Sequence, residues 1–230
     1  MVARPLRFVG VDLAWKVEPP RDRGTGLCVL ADDGAVERIE LLTTDQDILA
    51  ALPPGVAWVG VDASLKMPEG TTLRRCERGL LDLGMKVLPT SREFYQRRYG
   101  GCRGETLGSA LEALGYEYFG TGPRRLYEVY PYAVLHVLSG GQMPRYKKGP
   151  REARLDATAE ILRMLRRWCP SLHVSDDEIV AARGSDDRLD ALVGAVLLYQ
   201  HRLYRGDRTR VVGDDDHGYI LLPRGVRGDA

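Results

Sequence analysis

The sequence has no apolar run approaching the roughly 18 residues needed to cross a bilayer, so no membrane-spanning helix is expected. Cysteine is scarce and scattered. Cys28, Cys76, Cys102 and Cys169 form no CxxC pair, which argues against a zinc ribbon or dithiol redox centre and for reduced thiols in a cytoplasmic protein. An excess of one charge is missing too: 33 basic and 32 acidic side chains leave +1. Bulk charge therefore does not announce a nucleic-acid binder, and any such surface has to be a local patch. There is no Walker loop, no Ser/His/Asp or Cys/His arrangement, no internal repeat and no low-complexity linker. The opening MVARPLRFVGVDLAW lacks a secretory apolar region and leads straight into a strand pattern. What remains is an ordinary globular composition, 44% hydrophobic and 28% charged over 230 residues. That suits one large α/β domain, with an insertion over about 67–122 and a C-terminal hairpin over about 209–223.

Residues 7–13 (RFVGVDL) and 25–31 (TGLCVLA) read as buried strands, and 35–41 (AVERIEL) as a half-exposed third. Asp32-Asp33-Gly34 supplies the hairpin turn between the last two. Residues 44–52 read as a helix with a Thr cap, stopped by Pro53-Pro54-Gly55. Residues 57–63 (AWVGVDA) give a fourth strand and 126–130 (LYEVY) a fifth. A meander followed by a helical crossover implies a mixed five-stranded sheet flanked by helices. Further helices are expected at 73–83, 104–114, 131–139, 151–168, 176–182 and 186–202. The segment PTSREFYQRRYGGCRG reads as a long surface loop.

Three buried runs carry an acidic residue: Asp12 in VGVDLAW, Asp62 in VGVDASL and Glu128 in LYEVYP. Unpaired carboxylates are rare in cores. If these strands are neighbours, their carboxylates converge at one sheet end, and like charges held that close call for a cation. Oxygen ligands suit Mg²⁺ or Mn²⁺. Asp187 and Asp190, at i and i+3 on the last helix, share one face. Each residue also has a plainer role open to it. Asp12 can cap a loop, Glu128 can pair with Arg124 or Arg125, and Asp186 or Asp187 can cap the helix. Asp214 to Asp216 are most simply turn formers, and His217 a water-exposed turn residue.

The ordered segments VGVDLAW, RGTG, VGVDASL, YEVYPYAVLHVLSG, KKGPREARL and DDRLDALVGAVLLYQ resemble domain-of-unknown-function family 429. Its members are predicted nucleases assigned a ribonuclease-H-like fold. DRLDALVGA is also similar to the last helix of bacterial Holliday-junction resolvases. The resemblance spans roughly residues 7–204. It implies Asp12, Asp62 and Asp190 as metal ligands for Mg²⁺ or Mn²⁺, with Asp187 as an extra one. Glu128 lies on the strand where the resolvases need no ligand, and is expected to orient a substrate or a neighbouring base. Resolvases usually have Glu where Asp62 stands.

The expected activity is two-metal hydrolysis of phosphodiester bonds in DNA or RNA. Lys147, Lys148, Arg151 and Arg154 are candidate phosphate contacts. Arg92, Arg97, Arg98 and Arg103, interleaved with Tyr95 and Tyr99, form a second candidate strip that grips backbone and stacks on bases. A homodimer is compatible with the sequence. Two rival readings stay open: an ATP-binding phosphotransferase of the actin or sugar-kinase type, and a non-catalytic nucleic-acid-binding module.

Overall fold

The computed structural model describes residues 5–18 and 24–225; Arg23 of the RGTG segment lies outside them. The chain opens with β1 (Arg7–Asp12), β2 (Thr25–Ala31) and β3 (Val36–Leu42), then α1 (Asp45–Ala50) and β4 (Ala57–Val61). Three helices follow: α2 (Arg75–Asp82), α3 (Arg92–Tyr99) and α4 (Arg103–Ala113). Then come β5 (Glu117–Tyr118), β6 (Arg125–Glu128), α5 (Pro131–Leu138), α6 (Arg151–Trp168), α7 (Asp176–Gly184) and α8 (Asp186–Leu203). A hairpin of β7 (Thr209–Asp214) and β8 (Gly218–Pro223) ends the described chain.

The main sheet has six strands in the order β3-β2-β1-β4-β6-β5. β1, β2 and β3 form the expected antiparallel meander, while β4 and β6 run parallel to β1. The mixed α/β sheet therefore stands as read, with one addition. The two-residue β5 pairs parallel with β6 and is too short to leave a periodic signature.

Alternation along the strands sorts side chains onto two faces. Phe8, Trp58, Tyr127 and Val129 join α5, α6 and α8 in one core, whereas Val9, Val11, Val59, Val61 and Leu126 pack with Ile48, Leu107 and Leu111 on the other face. α8 is the central helix, buried continuously from Leu189 to Gln200. Two glycines let it lie close to the sheet. A Cβ on Gly10 would sit 1.9 Å from the Ala191 carbonyl oxygen, and one on Gly26 would sit 2.0 Å from that of Asp187. Both obstacles are backbone, so neither can yield by rotating a side chain.

The segment read as a long surface loop contains a helix instead. Ser91 caps α3, its hydroxyl accepting from the Phe94 amide at 3.1 Å. Its aromatics turn inward: Tyr95 is buried and stacks on Trp15 at 5.7 Å between centroids, with Tyr99 edge-on to the same ring. Arg103 is buried too. It donates to Asp45 at 2.8 Å and to the Ala14 carbonyl at 2.7 Å, tying the insertion to the loop after β1. Arg92 is paired in bidentate fashion with Glu105. Of that expected strip, Arg97 and Arg98 are the exposed cations without an acidic partner among the described ion pairs.

Candidate metal centre

Asp12 closes β1, and Asp62 follows β4 by one residue. Val11 pairs with Val61, and the Asp62 amide donates to the Val11 carbonyl at 2.8 Å. The two aspartates thus leave neighbouring parallel strands side by side. By alternation they share the face of Gly10 and Gly60, towards α8. Asp190 comes down from that helix. Ser185, rather than Asp186 or Asp187, is the α8 cap and accepts from the Arg188 amide. Asp186 and Asp187 occupy the first turn, where acidic groups favour the helix dipole. Asp190 lies one turn deeper and is 1% exposed, while Asp12, Asp62 and Asp187 are half-buried.

These carboxylates repel one another. Burial, then the charges of Asp190 and Asp62, holds the Asp12 carboxyl well above the usual range, and Asp187 adds to the effect. Burial and Asp190 push Asp62 up to about 7. Burial raises Asp190 as well, against the opposing pull of Lys147 and Tyr146. Burial is the main cause of all three shifts, and the charges of Asp190 and Asp62 add to it at Asp12, as that of Asp190 does at Asp62.

Two adjacent residues of the loop between α5 and α6 grip Asp190. The Tyr146 hydroxyl donates to Oδ1 at 2.7 Å. Lys147 Nζ lies 2.5 Å from Oδ2, a close ion pair. Burial works against the Lys147 ammonium, yet the charges of Asp190 and Asp12 outweigh it and raise its pKa. Lys147 belongs to the expected basic set; Tyr146 does not, because a tyrosine in a Gly-flanked loop carries no periodic signal. Lys148, Arg151 and Arg154 are exposed where that loop enters α6.

Glu128 belongs to a different constellation. Its register partner is Val61, not Asp62, so the pleat turns it to the opposite face. There the Arg74 guanidinium donates to both Glu128 oxygens, at 2.9 and 2.7 Å. The Tyr118 hydroxyl and the Leu65 amide donate to Oε1 at 2.9 and 3.0 Å. Arg74 also bonds Glu77 and the Lys66 carbonyl. The partner is Arg74 rather than Arg124 or Arg125, which bond backbone carbonyls. The i,i+3 spacing of Arg74 and Glu77 is the sequence signal that points to this cluster.

Asp12, Asp62 and Asp190 offer only carboxylate oxygens, a hard donor set that fits Mg²⁺ or Mn²⁺. Buried Asp190 Oδ2, whose one close partner is the Lys147 ammonium, already stands against a cation. The trio is more open than a single-ion shell. Among the described residues, the set of three whose ligand atoms lie within 4.8 Å of one another is Asp214, Asp216 and His217. His217 is half-buried rather than water-exposed, and its backbone and ring nitrogens both contact Asp214. Asp214 also pairs with Arg75.

Among the described residues no helix is long and apolar enough to cross a membrane. No curated protein and no solved structure matches the chain. A family model described as "Protein of unknown function (DUF429)" matches residues 10–217. By that match, which takes in Asp12, Asp62, Glu128 and Asp190, the chain belongs to the DUF429 family.

Proposed function

We propose that the chain is a divalent-metal-dependent nuclease that hydrolyses phosphodiester bonds of DNA or RNA on a ribonuclease-H-like sheet. One observation carries the reading: three carboxylates from β1, the end of β4 and α8 meet on one face of the sheet, with proton affinities raised by burial first and, for Asp12 and Asp62, by neighbouring carboxylates as well. A protein keeps such a cluster at a cost in stability, and a bound cation is the simplest compensation. The strand order, a meander with the parallel strands β4, β6 and the short β5 beside it, supports the fold assignment.

Asp12, Asp62 and Asp190 would hold Mg²⁺ or Mn²⁺, with Asp187 at the rim. The ions supply Lewis-acid polarisation of the phosphodiester and a metal-activated water. The chain's own cations bind and orient the substrate. Exposed Lys148, Arg151 and Arg154 on one side, and Arg97 and Arg98 on α3, would contact phosphates in a salt-dependent manner. Base stacking by Tyr95 and Tyr99 is not part of the proposal, because those rings pack against Trp15. Glu128 acts as a positioning residue. Through the Leu65 amide directly, and the Lys66 carbonyl through Arg74, it holds the segment that follows Asp62. Four unpaired cysteines suit a reducing, cytoplasmic setting.

The test is cleavage of single-stranded, duplex, hybrid and branched nucleic acids with Mg²⁺ or Mn²⁺, comparing the natural chain with Asp12→Asn and Asp190→Asn. Cleavage that both substitutions leave intact overturns the assignment. An ATP-dependent thermal shift without cleavage would favour the phosphotransferase reading instead.

A further inference from the structure

Tyr146 and Lys147 are consecutive, yet each takes a different oxygen of Asp190: the tyrosine hydroxyl holds Oδ1 and the ammonium faces Oδ2. Their exposures differ as much as their chemistry. Tyr146 is 4% exposed, whereas the Lys147 side chain is 46% exposed. The tyrosine is therefore a fixed part of the core, whereas the lysine reaches in from the surface to place its ammonium on Oδ2. The carboxylate is pinned by a neutral donor on one oxygen, and the other, buried oxygen is held by the ammonium. A lysine stem is flexible and its ammonium strongly hydrated, so it can leave for water at little cost.

We infer that Lys147 is a built-in placeholder cation, which occupies the Asp190 end of the acidic trio in the metal-free protein and is displaced outward when a divalent ion binds Oδ2. The inference rests on the metal-centre reading above and deepens it. Before the ion arrives, the ammonium offsets part of the repulsion among Asp12, Asp62 and Asp190. Afterwards two like charges cannot share Oδ2, and Lys147 moves to the mouth, beside Lys148. There it is placed to meet a phosphate oxygen. Tyr146 stays put and keeps the rotamer of Asp190 unchanged through the exchange. Metal binding and lysine release are then two sides of one equilibrium, so removing the ammonium must tighten metal binding.

The experiment measures Mn²⁺ affinity directly, by titration calorimetry or by the paramagnetic resonance of free Mn²⁺, with no substrate present. Lys147→Met keeps the apolar stem and deletes the charge. It is expected to bind Mn²⁺ roughly tenfold more tightly than the natural chain, a fraction of the full Coulomb energy of one competing charge because the natural ammonium can retreat into water. Lys147→Arg, which restores a cation, is expected to return the affinity to near the natural value. In an Asp190→Asn background the gain from Lys147→Met should vanish. Unchanged or weaker Mn²⁺ binding by Lys147→Met overturns the placeholder role. Absence of Mn²⁺ binding in every variant overturns it together with the metal centre. Tighter binding by Lys147→Met without nucleic-acid cleavage by any variant supports the exchange and removes only the nuclease reading.

Discussion

The two faces of the sheet each carry a carboxylate cluster, and the clusters are opposites. On the α8 face, Asp12, Asp62 and Asp190 share one half-exposed ammonium, that of Lys147, which pairs with Asp190. On the other face, Glu77 and Glu128 share the guanidinium of Arg74, which is 1% exposed, and every oxygen of Glu128 has a donor. Both clusters are buried acid on β-strands or beside them. One is satisfied by the chain itself and the other is left short of positive charge. A saturated cluster is architecture, whereas an unsaturated one asks for something from outside.

The sharpest way to break that contrast is Arg74→Met. It strands two buried carboxylates and should cost about 3–5 kcal/mol, read from the denaturant midpoint, much of a typical domain's stability. Stability that barely moves would mean the Arg74 cluster is not the structural half of the pair. Next is Asp12→Asn, which should cut metal-dependent cleavage by on the order of a hundredfold or more while leaving the metal-free fold intact or firmer. Glu128→Gln should show the reverse balance, with a clear loss of stability and a smaller loss of cleavage.

A pH series sharpens the comparison further. Asp62 is raised from 3.8 to about 7 in the folded state, so the folded protein binds its proton more tightly than the unfolded chain does. Metal-free stability should therefore fall as pH rises from about 4 to about 7 and level off above that. With EDTA at pH 8, Asp62→Asn should melt a few degrees higher than the natural chain, since about 1 kcal/mol moves the Tm of a domain this size by roughly 2–4 °C. Saturating Mn²⁺ should flatten the natural chain's pH profile. A profile rising with pH in EDTA would contradict the picture of repelling carboxylates. The smallest effect expected is from Arg97→Ala or Arg98→Ala. Each should weaken nucleic-acid binding modestly and lower the salt slope by about one.

Most of the sheet was legible because its signals are local. RFVGVD and AWVGV announce buried strands, and DDG marks the hairpin. The acidic residues Asp12, Asp62 and Asp190 stood out because charge is conspicuous inside an apolar run. Their division from Glu128 was not legible. It depends on register, and a shift of one residue reverses the face; only the pairing of Val61 with Glu128 fixes it. The loop partners Tyr146 and Lys147 act through a fold-back that no periodicity encodes. α3 was obscured by its Arg- and Gly-rich flanks, although Ser91 three residues before Phe94 is a usable capping cue. Ser185 before Asp186-Asp187 was the same kind of cue, passed over in favour of the charges.

Gly10 has no charge and touches no ligand, yet it governs the distance at which the chemistry is offered. The helix that bears Asp190 can descend to the strand that bears Asp12 because no methyl group stands between Gly10 and the Ala191 carbonyl. The gap between carboxylates is therefore gauged in the hydrophobic interior, two residues away from Asp12 on the strand. A single carbon added there would act as a shim, lifting one jaw of the cluster from the other. On the proposed metal reading, preference among ions of different radius would then be set by a residue that never meets them.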